Sequence, residues 1–303
     1  MISYISSIHF GYNMKVLSPA KINIYLHIDG VRNDGFHDLV SLFLMVGLYD
    51  EISIHAVPGS REITVVGNPS VAVEHDIMKL AAEKLLGFID TSAKVSIAIK
   101  KRIPIGAGLG GGSSNAAAVL LALNKIVHGG VPMRELRTMA ADLGSDVPFF
   151  LGGPAAIVTG RGEKVETVQP PTTWKVVLVQ PRFSISTAAA FRWYAKWISL
   201  CPERCAPLDA VRLKSTFLQK PPGEWESHNS FSNVLHDRFP EYRRIERAIV
   251  ESGASFVSIS GSGSVVYGIS ATRDFSDSAL NKLGGCRWWI KETLARTPYA
   301  VLN

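Results

Sequence analysis

Residues 104–124, PIGAGLGGGSSNAAAVLLALN, set five glycines (Gly106, Gly108, Gly110, Gly111 and Gly112) directly against an apolar, alanine-rich run. Glycine is less favourable than alanine in regular structure by roughly 0.5–1 kcal/mol per residue, so a cluster of five signals a local requirement. From Asn115 onward, residues 116–123 are good helix formers, and Ser113, Ser114 and Asn115 are of the types that cap a helix start. The stretch therefore predicts a loop feeding a helix N-terminus. Such a junction offers unpaired N–H groups and about half a positive charge, and residues without side chains let a large anion reach the backbone. Phosphate is the guest this chemistry suits.

Two better-known phosphate loops fit less well. The nucleoside-triphosphatase loop needs a lysine after its last glycine, and here Ser113 and Ser114 follow instead. The dinucleotide pattern G-x-G-x-x-G is formally met by Gly106, Gly108 and Gly111, but a glycine-dense run meets it easily. The alternating segment before the loop (Val95, Ile97, Ile99) reads as a half-exposed strand followed by the basic, proline-containing residues 100–104. A dinucleotide fold wants its loop straight after a buried strand, with an acidic residue about 20 positions on. A flexible linker is the bland alternative, but linkers seldom run straight into a strong apolar helix.

With 303 residues, 47% apolar and 19% charged, the chain is of a globular class and can bury a large core in one or two domains. No window approaches 18 uninterrupted apolar residues, which argues against a membrane span. Residues 1–13 lack the pattern of a signal peptide and are expected to be an extension, with Met14 as an alternative start. Three scattered cysteines (Cys201, Cys205, Cys286) do not make a disulfide framework or a zinc site and fit a cytoplasmic location. The net charge of +6 suits an acidic ligand, but without a dense basic run or interleaved aromatics it does not indicate nucleic acid. Strands are expected at 16–28, 51–57, 63–66, 95–99, 155–159 and 174–179, and helices at 77–86, capped by Asp76, and 133–143. Without a regular βα alternation the class is α+β. Pro170-Pro171 suggests a division near residue 168.

Two further stretches carry chemistry. In PAKINIYLHI, residues 19–28, Lys21 and Asn23 interrupt an apolar strand two positions apart and so share a face. In GSDVPFF, residues 144–150, Asp146 precedes an apolar run where an unpaired carboxylate would be costly to bury. Taken alone, the lysine reads first as solvated, and the aspartate reads equally as a turn or N-cap residue. The segment Ser260-Gly261-Ser262-Gly263 is a second glycine-rich turn between apolar segments.

Together these motifs resemble the small-molecule kinases named after galactose, homoserine, mevalonate and phosphomevalonate, the GHMP kinases. Pro104 through Ser114 meets their pattern P-x-G-x-G-L-G-[SG]-[SG]-S, the late glycine motif is met by Ser260 to Gly263, and the likeness runs from Met14 onward. The resemblance implies a two-domain fold with the active site in the cleft. Residues 1–168 would form an ATP-binding domain like domain 2 of ribosomal protein S5, and residues 169–303 a ferredoxin-like α/β sandwich. It implies that Asp146 takes or orients the proton of the attacking hydroxyl while Lys21 pairs with it. ATP would lie on Pro104, Gly106, Gly108, Leu109, Gly110, Gly111, Gly112, Ser113 and Ser114, with Mg2+ whose ligands the sequence leaves unknown.

Within the family, residues 19–28, Gly35 to Leu39, the glycine loop and residues 144–150 resemble a branch serving non-mevalonate isoprenoid synthesis. Its acceptor is the 2-hydroxyl of a cytidine-diphosphate-linked methylerythritol. Asn23, Phe36, His37, Thr187, Phe191, Gly261, Ser262 and Gly263 would contact that substrate, His37 reading the base between the faces of Phe36 and Phe191. The sequence departs from the pattern at Phe36, where tyrosine is common, and at Ser230, where an aspartate usually follows Asn229. Only small-molecule partners are expected, with the chain a monomer or weak homodimer. A mevalonate- or homoserine-type kinase and a nucleotide-binding module without turnover stay open as alternatives.

Overall fold

The protein is described from a computed structural model that covers residues 12–31, 37–67, 76–200, 209–271, 274–295 and 301–302. The expectations for residues 1–11, Phe36, Cys201 and Cys205 fall outside these. The chain runs β1 (Tyr12–Val31), β2 (His37–Pro58), β3 (Glu62–Val66), α1 (Ile77–Phe88), β4 (Ala93–Lys100), α2 (Gly111–Ile126), α3 (Met133–Leu143), α4 (Val147–Phe150), β5 (Ala155–Gly160) and β6 (Lys164–Val168). It continues through β7 (Lys175–Gln180), α5 (Thr187–Leu200), α6 (Ala210–Gln219), β8 (His228–Asn229), α7 (Ser232–Arg238), α8 (Glu241–Glu251), β9 (Phe256–Ile259), β10 (Val266–Ser270), α9 (Asp277–Asn281), β11 (Arg287–Glu292) and β12 (Val301–Leu302).

The long strand β2 organises the first sheet. It pairs antiparallel with β1 along nearly its whole length, with β4 through residues 51–58 and with β5 through residues 39–44. The sequence expectation at 51–57 covers only its second half. The first half is a continuous apolar run, Leu42 to Val46, buried on both faces, so it lacks the alternation that marks a half-exposed strand. From the C-terminal half of the chain, β8 and β12 add to either part of β1. The second sheet is antiparallel in the order β11-β7-β10-β9.

Helices α1, α2 and α3 cover one face of the first sheet, enclosing Phe43, Met45, Ile97, Val119 and Leu120. Its other face, with Ile22, Leu42 and Leu44, packs against Val176, Leu178, Tyr267 and Ile269 of the second sheet. Period-2 alternation along β1 thus sends Ile22 into the inter-sheet core and its neighbours Lys21 and Asn23 the other way. Asp76 caps α1 as expected, its carboxylate accepting from the Met78 amide at 2.8 Å.

One local expectation is corrected. Helix α2 begins at Gly111, inside the glycine run, and its N-cap is Gly110 with φ of 66° and no side-chain cap. Ser114 and Asn115 do not cap because they are buried in the helix body, where the Ser18 hydroxyl lies 2.7 Å from both Ser114 Oγ and Asn115 Oδ1. The first amides of α2 are therefore left without a capping side chain, the condition under which an anionic ligand takes that role.

Candidate active site

A cavity of about 500 Å³ opens where the glycine loop meets β1, α4, α5 and the turn after β9. A β-bulge shapes its wall. The register of β1 against β2 shifts between Asn23 and Tyr25, so Lys21 and Asn23 before the shift, and Leu26 and Ile28 after it, all line the same cavity. An unbroken strand would have sent the second pair to the opposite face.

Lys21 is 4% exposed. Its ammonium donates to Asn23 Oδ1 at 2.7 Å, lies 3.3 Å from Asp146 Oδ2, and sits 4.5 Å from the centre of the Phe43 ring. A buried ammonium is tolerable only when paired and hydrogen-bonded, and these three contacts supply that. Asp146 stands between α3 and α4, with its side chain one-third exposed and making no capping bond. Asp146 thus occupies the turn and N-cap position before α4, but its carboxylate lies against Lys21 and the cavity instead of capping the helix. The sequence brings two segments 125 positions apart to one point because β1 and α2 pack together, and α4 packs on α2.

The glycine loop is fastened on both sides. Lys21 donates its backbone N–H to Leu109 O at 2.9 Å, and the Ser260 hydroxyl donates to Gly108 O at 2.9 Å. Pro104, Gly106, Gly108, Leu109, Gly110, Gly111, Gly112 and Ser113 line the cavity together with Asp146, whereas Ser114 is fully buried beneath it. Gly261 and Ser262 line the opposite wall beside Thr187, whose hydroxyl is 3.2 Å from that of Ser262. The Cβ position of Gly263 points at the Tyr242 hydroxyl. His37 stacks obliquely on Phe191, with ring centroids 4.7 Å apart, and Phe191 lines the cavity. Burial lowers the His37 pKa below its ordinary value, which favours the neutral imidazole with one donor and one acceptor nitrogen.

Several residues of this region carried no signal in the sequence. Phe43 lies under the Lys21 ammonium within an undifferentiated apolar run. Asn229 was visible as a family position, but its work was not: Nδ2 donates to Ile259 O at 2.8 Å and Gly261 O at 2.9 Å, while Oδ1 accepts from the Phe231 amide. Asn229 thereby fixes the late glycine turn to β8 and, through it, to β1.

Residues 75–154 match the family model for the N-terminal domain of GHMP kinases. A homoserine kinase from Cytophaga hutchinsonii shares the whole fold, with a TM-score of 0.72 over 99% of this chain and 100% of its own at 17% identity. Fold and family model together define the class of the fold, that of the GHMP kinases. The 4-diphosphocytidyl-2-C-methyl-D-erythritol kinase of Solibacter usitatus is 32% identical over 93% of this chain and 89% of its own length. That of Syntrophotalea carbinolica is 35% identical over 90% and 95%. A crystal structure of 4-(cytidine 5'-diphospho)-2C-methyl-D-erythritol kinase superimposes with a TM-score of 0.77, at 31% identity, over 92% of this chain and 99% of that one. The chain belongs to the 4-diphosphocytidyl-2-C-methyl-D-erythritol kinases.

Proposed function

We propose that the chain transfers the γ-phosphoryl group of ATP to the 2-hydroxyl of 4-diphosphocytidyl-2-C-methyl-D-erythritol, and that it does so in the cavity lined by the glycine loop, Lys21 and Asp146. The observation that carries this reading is the Lys21–Asp146 pair, 3.3 Å apart at the wall of a cavity lined by the uncapped start of a helix. Phosphoryl transfer gains most from in-line positioning and from charge stabilisation at the moving group. The amides of residues 110–112 would hold the phosphates. Asp146 would orient the acceptor hydroxyl and take its proton, and Lys21, immobilised by Asn23 and Phe43, would fix the carboxylate and face the developing charge. Neutral His37, backed by Phe191, would read the edge of the cytosine, with Phe36 as the other face. Thr187, Gly261 and Ser262 would enclose the methylerythritol end.

Among the described residues no group of three His, Cys, Asp or Glu side chains is placed to hold a metal. Mg2+ needs none, since it is commonly held by one or two carboxylates and the substrate phosphates. Asp146, the one carboxylate among the described residues lining the cavity, is engaged by Lys21, so the ion would rest mainly on the ATP phosphates, with the Ser113 hydroxyl of the same cavity available to it. The ion would supply charge neutralisation at the phosphates. The second sheet, in the order β11-β7-β10-β9 with α8 leading into β9 and packing on β9 and β10, and α9 joining β10 to β11, supports a ferredoxin-like assignment of the C-terminal half, and β6 ending at Val168 supports a division there.

Phosphate transfer from ATP to the cytidylylated substrate, with mevalonate and homoserine as controls, tests the reading. Asp146→Ala is expected to lower kcat at least about 10²-fold with ATP affinity nearly unchanged. Near-normal turnover in that variant removes its role, and comparable transfer to either control removes the substrate assignment.

A further inference from the structure

A second cavity, of about 620 Å³, lies where the edge strand β11 meets the first sheet, lined by Gly47, Leu48, Tyr49, Lys101, Arg102, Arg287, Trp289 and Lys291. The seam is held by the Leu294 amide donating to Met45 O at 3.0 Å and by a bridge between Val46 and Thr293. Its volume falls in the range of sites for small ligands. Four of the eight lining residues are cations. Lys101 is paired with the buried Asp50 at 2.5 Å and Arg102 with Glu51. Arg287 and Lys291 make no ion pair or side-chain hydrogen bond among the described residues, although both stand on the strand face that also carries Trp289.

Two uncompensated cations flanking an aromatic ring, over a floor of Gly47 and Tyr49, make a site for a polyanion. Their Cα atoms are four residues, or roughly 13 Å, apart along the strand, and both residues line the one cavity, so an anion several ångströms across can meet both. A diphosphate offers an anionic group to each cation and accepts the forked donors of an arginine, where a single phosphate offers one group for both to share. Gly47 lets β11 approach closely at the seam, since a Cβ there would lie 3.3 Å from Glu292 O and 3.6 Å from the Tyr49 hydroxyl. Lys101 also lines the cavity of the glycine loop, so it forms a wall common to the two.

We propose that this basic seam binds a diphosphate, either free or carried on a nucleotide, at a site separate from that of the phosphoryl donor. The test is calorimetric titration of the full chain, with the first cavity saturated by a non-hydrolysable ATP analogue. Inorganic pyrophosphate is expected to bind, orthophosphate at least tenfold more weakly, and the Arg287→Ala/Lys291→Ala variant to lose pyrophosphate affinity at least tenfold. The charge-preserving Lys291→Arg variant keeps binding within a few-fold, and all variants keep kcat and thermal midpoint. ADP titrated in the same way separates the two sources: tighter binding than pyrophosphate, abolished by Trp289→Ala, marks a nucleotide, and equal binding marks the free anion. Absence of pyrophosphate binding with the first cavity filled, or equal binding by the double alanine variant, overturns the proposal.

Discussion

The chain has two glycine-rich turns, at 106–112 and 260–263, that look alike in composition and sit against each other in the fold, yet their glycines answer different demands. At Gly108, φ is +77° and a Cβ would fall 1.9 Å from Ser260 O, so this position is set by the contact of one turn with the other. At Gly106, φ is +65° and nothing lies within 4 Å of a Cβ, so this position faces open cavity. Glycine thus serves close packing between two loops at one site and access for a ligand two residues away. The late turn carries the scaffolding role: Ser260 holds Gly108, the Val265 amide donates to Ala107 O at 3.2 Å, and Asn229 clamps the turn to β8. The early turn supplies the unpaired amides at the start of α2.

The sharpest way to break this comparison is Gly108→Ala. No rotation relieves a Cβ placed against a backbone carbonyl, so one loop must retreat by about an ångström, and a displacement of that size at a reacting centre costs on the order of 10²-fold in rate. Kinetics with ATP and the cytidylylated substrate should show kcat/KM down by about that factor, with a lowered thermal midpoint. Unchanged values would mean the two turns are not in register as described. A smaller effect is expected from Asn229→Ala. It leaves the buried carbonyls of Ile259 and Gly261 short of a donor, a loss of about 1–3 kcal/mol measurable by urea unfolding. Activity should fall about tenfold, with the change concentrated in the substrate KM because Gly261 and Ser262 line that side of the cavity.

How much of this was legible in the sequence follows from range. The helix after the glycine loop, the shared face of Lys21 and Asn23, and the Asp76 cap are local consequences of composition and spacing, and each appears in the structure. The start of α2 was misplaced by four residues because serines read as caps are drawn into the body of the helix by Ser18, 96 positions away. The bulge after Asn23 left no mark, since both sides of it are simply apolar. Nor did the bonds of Asn229, which depend on where residues 259 and 261 arrive in space. The short strands of the second sheet pair β7 with β10 and β11, and such partners lie too far along the chain for period and propensity to reveal.

The smallest expected effect, Gly106→Ala, separates the two roles most cleanly. An L-residue held at positive φ is strained by about 1–2 kcal/mol, which should appear as a modest drop in thermal midpoint, much less than for Gly108→Ala. No packing is disturbed, so the late turn and the Lys21–Asp146 pair keep their places and kcat stays within about twofold. The added methyl instead projects where the phosphate chain would lie, so KM for ATP should rise several-fold while KM for the cytidylylated substrate does not. A matching rise in both constants, or a stability loss equal to that of Gly108→Ala, would show that position 106 also supports the packing of the loops, and the distinction between access and contact would collapse to one role.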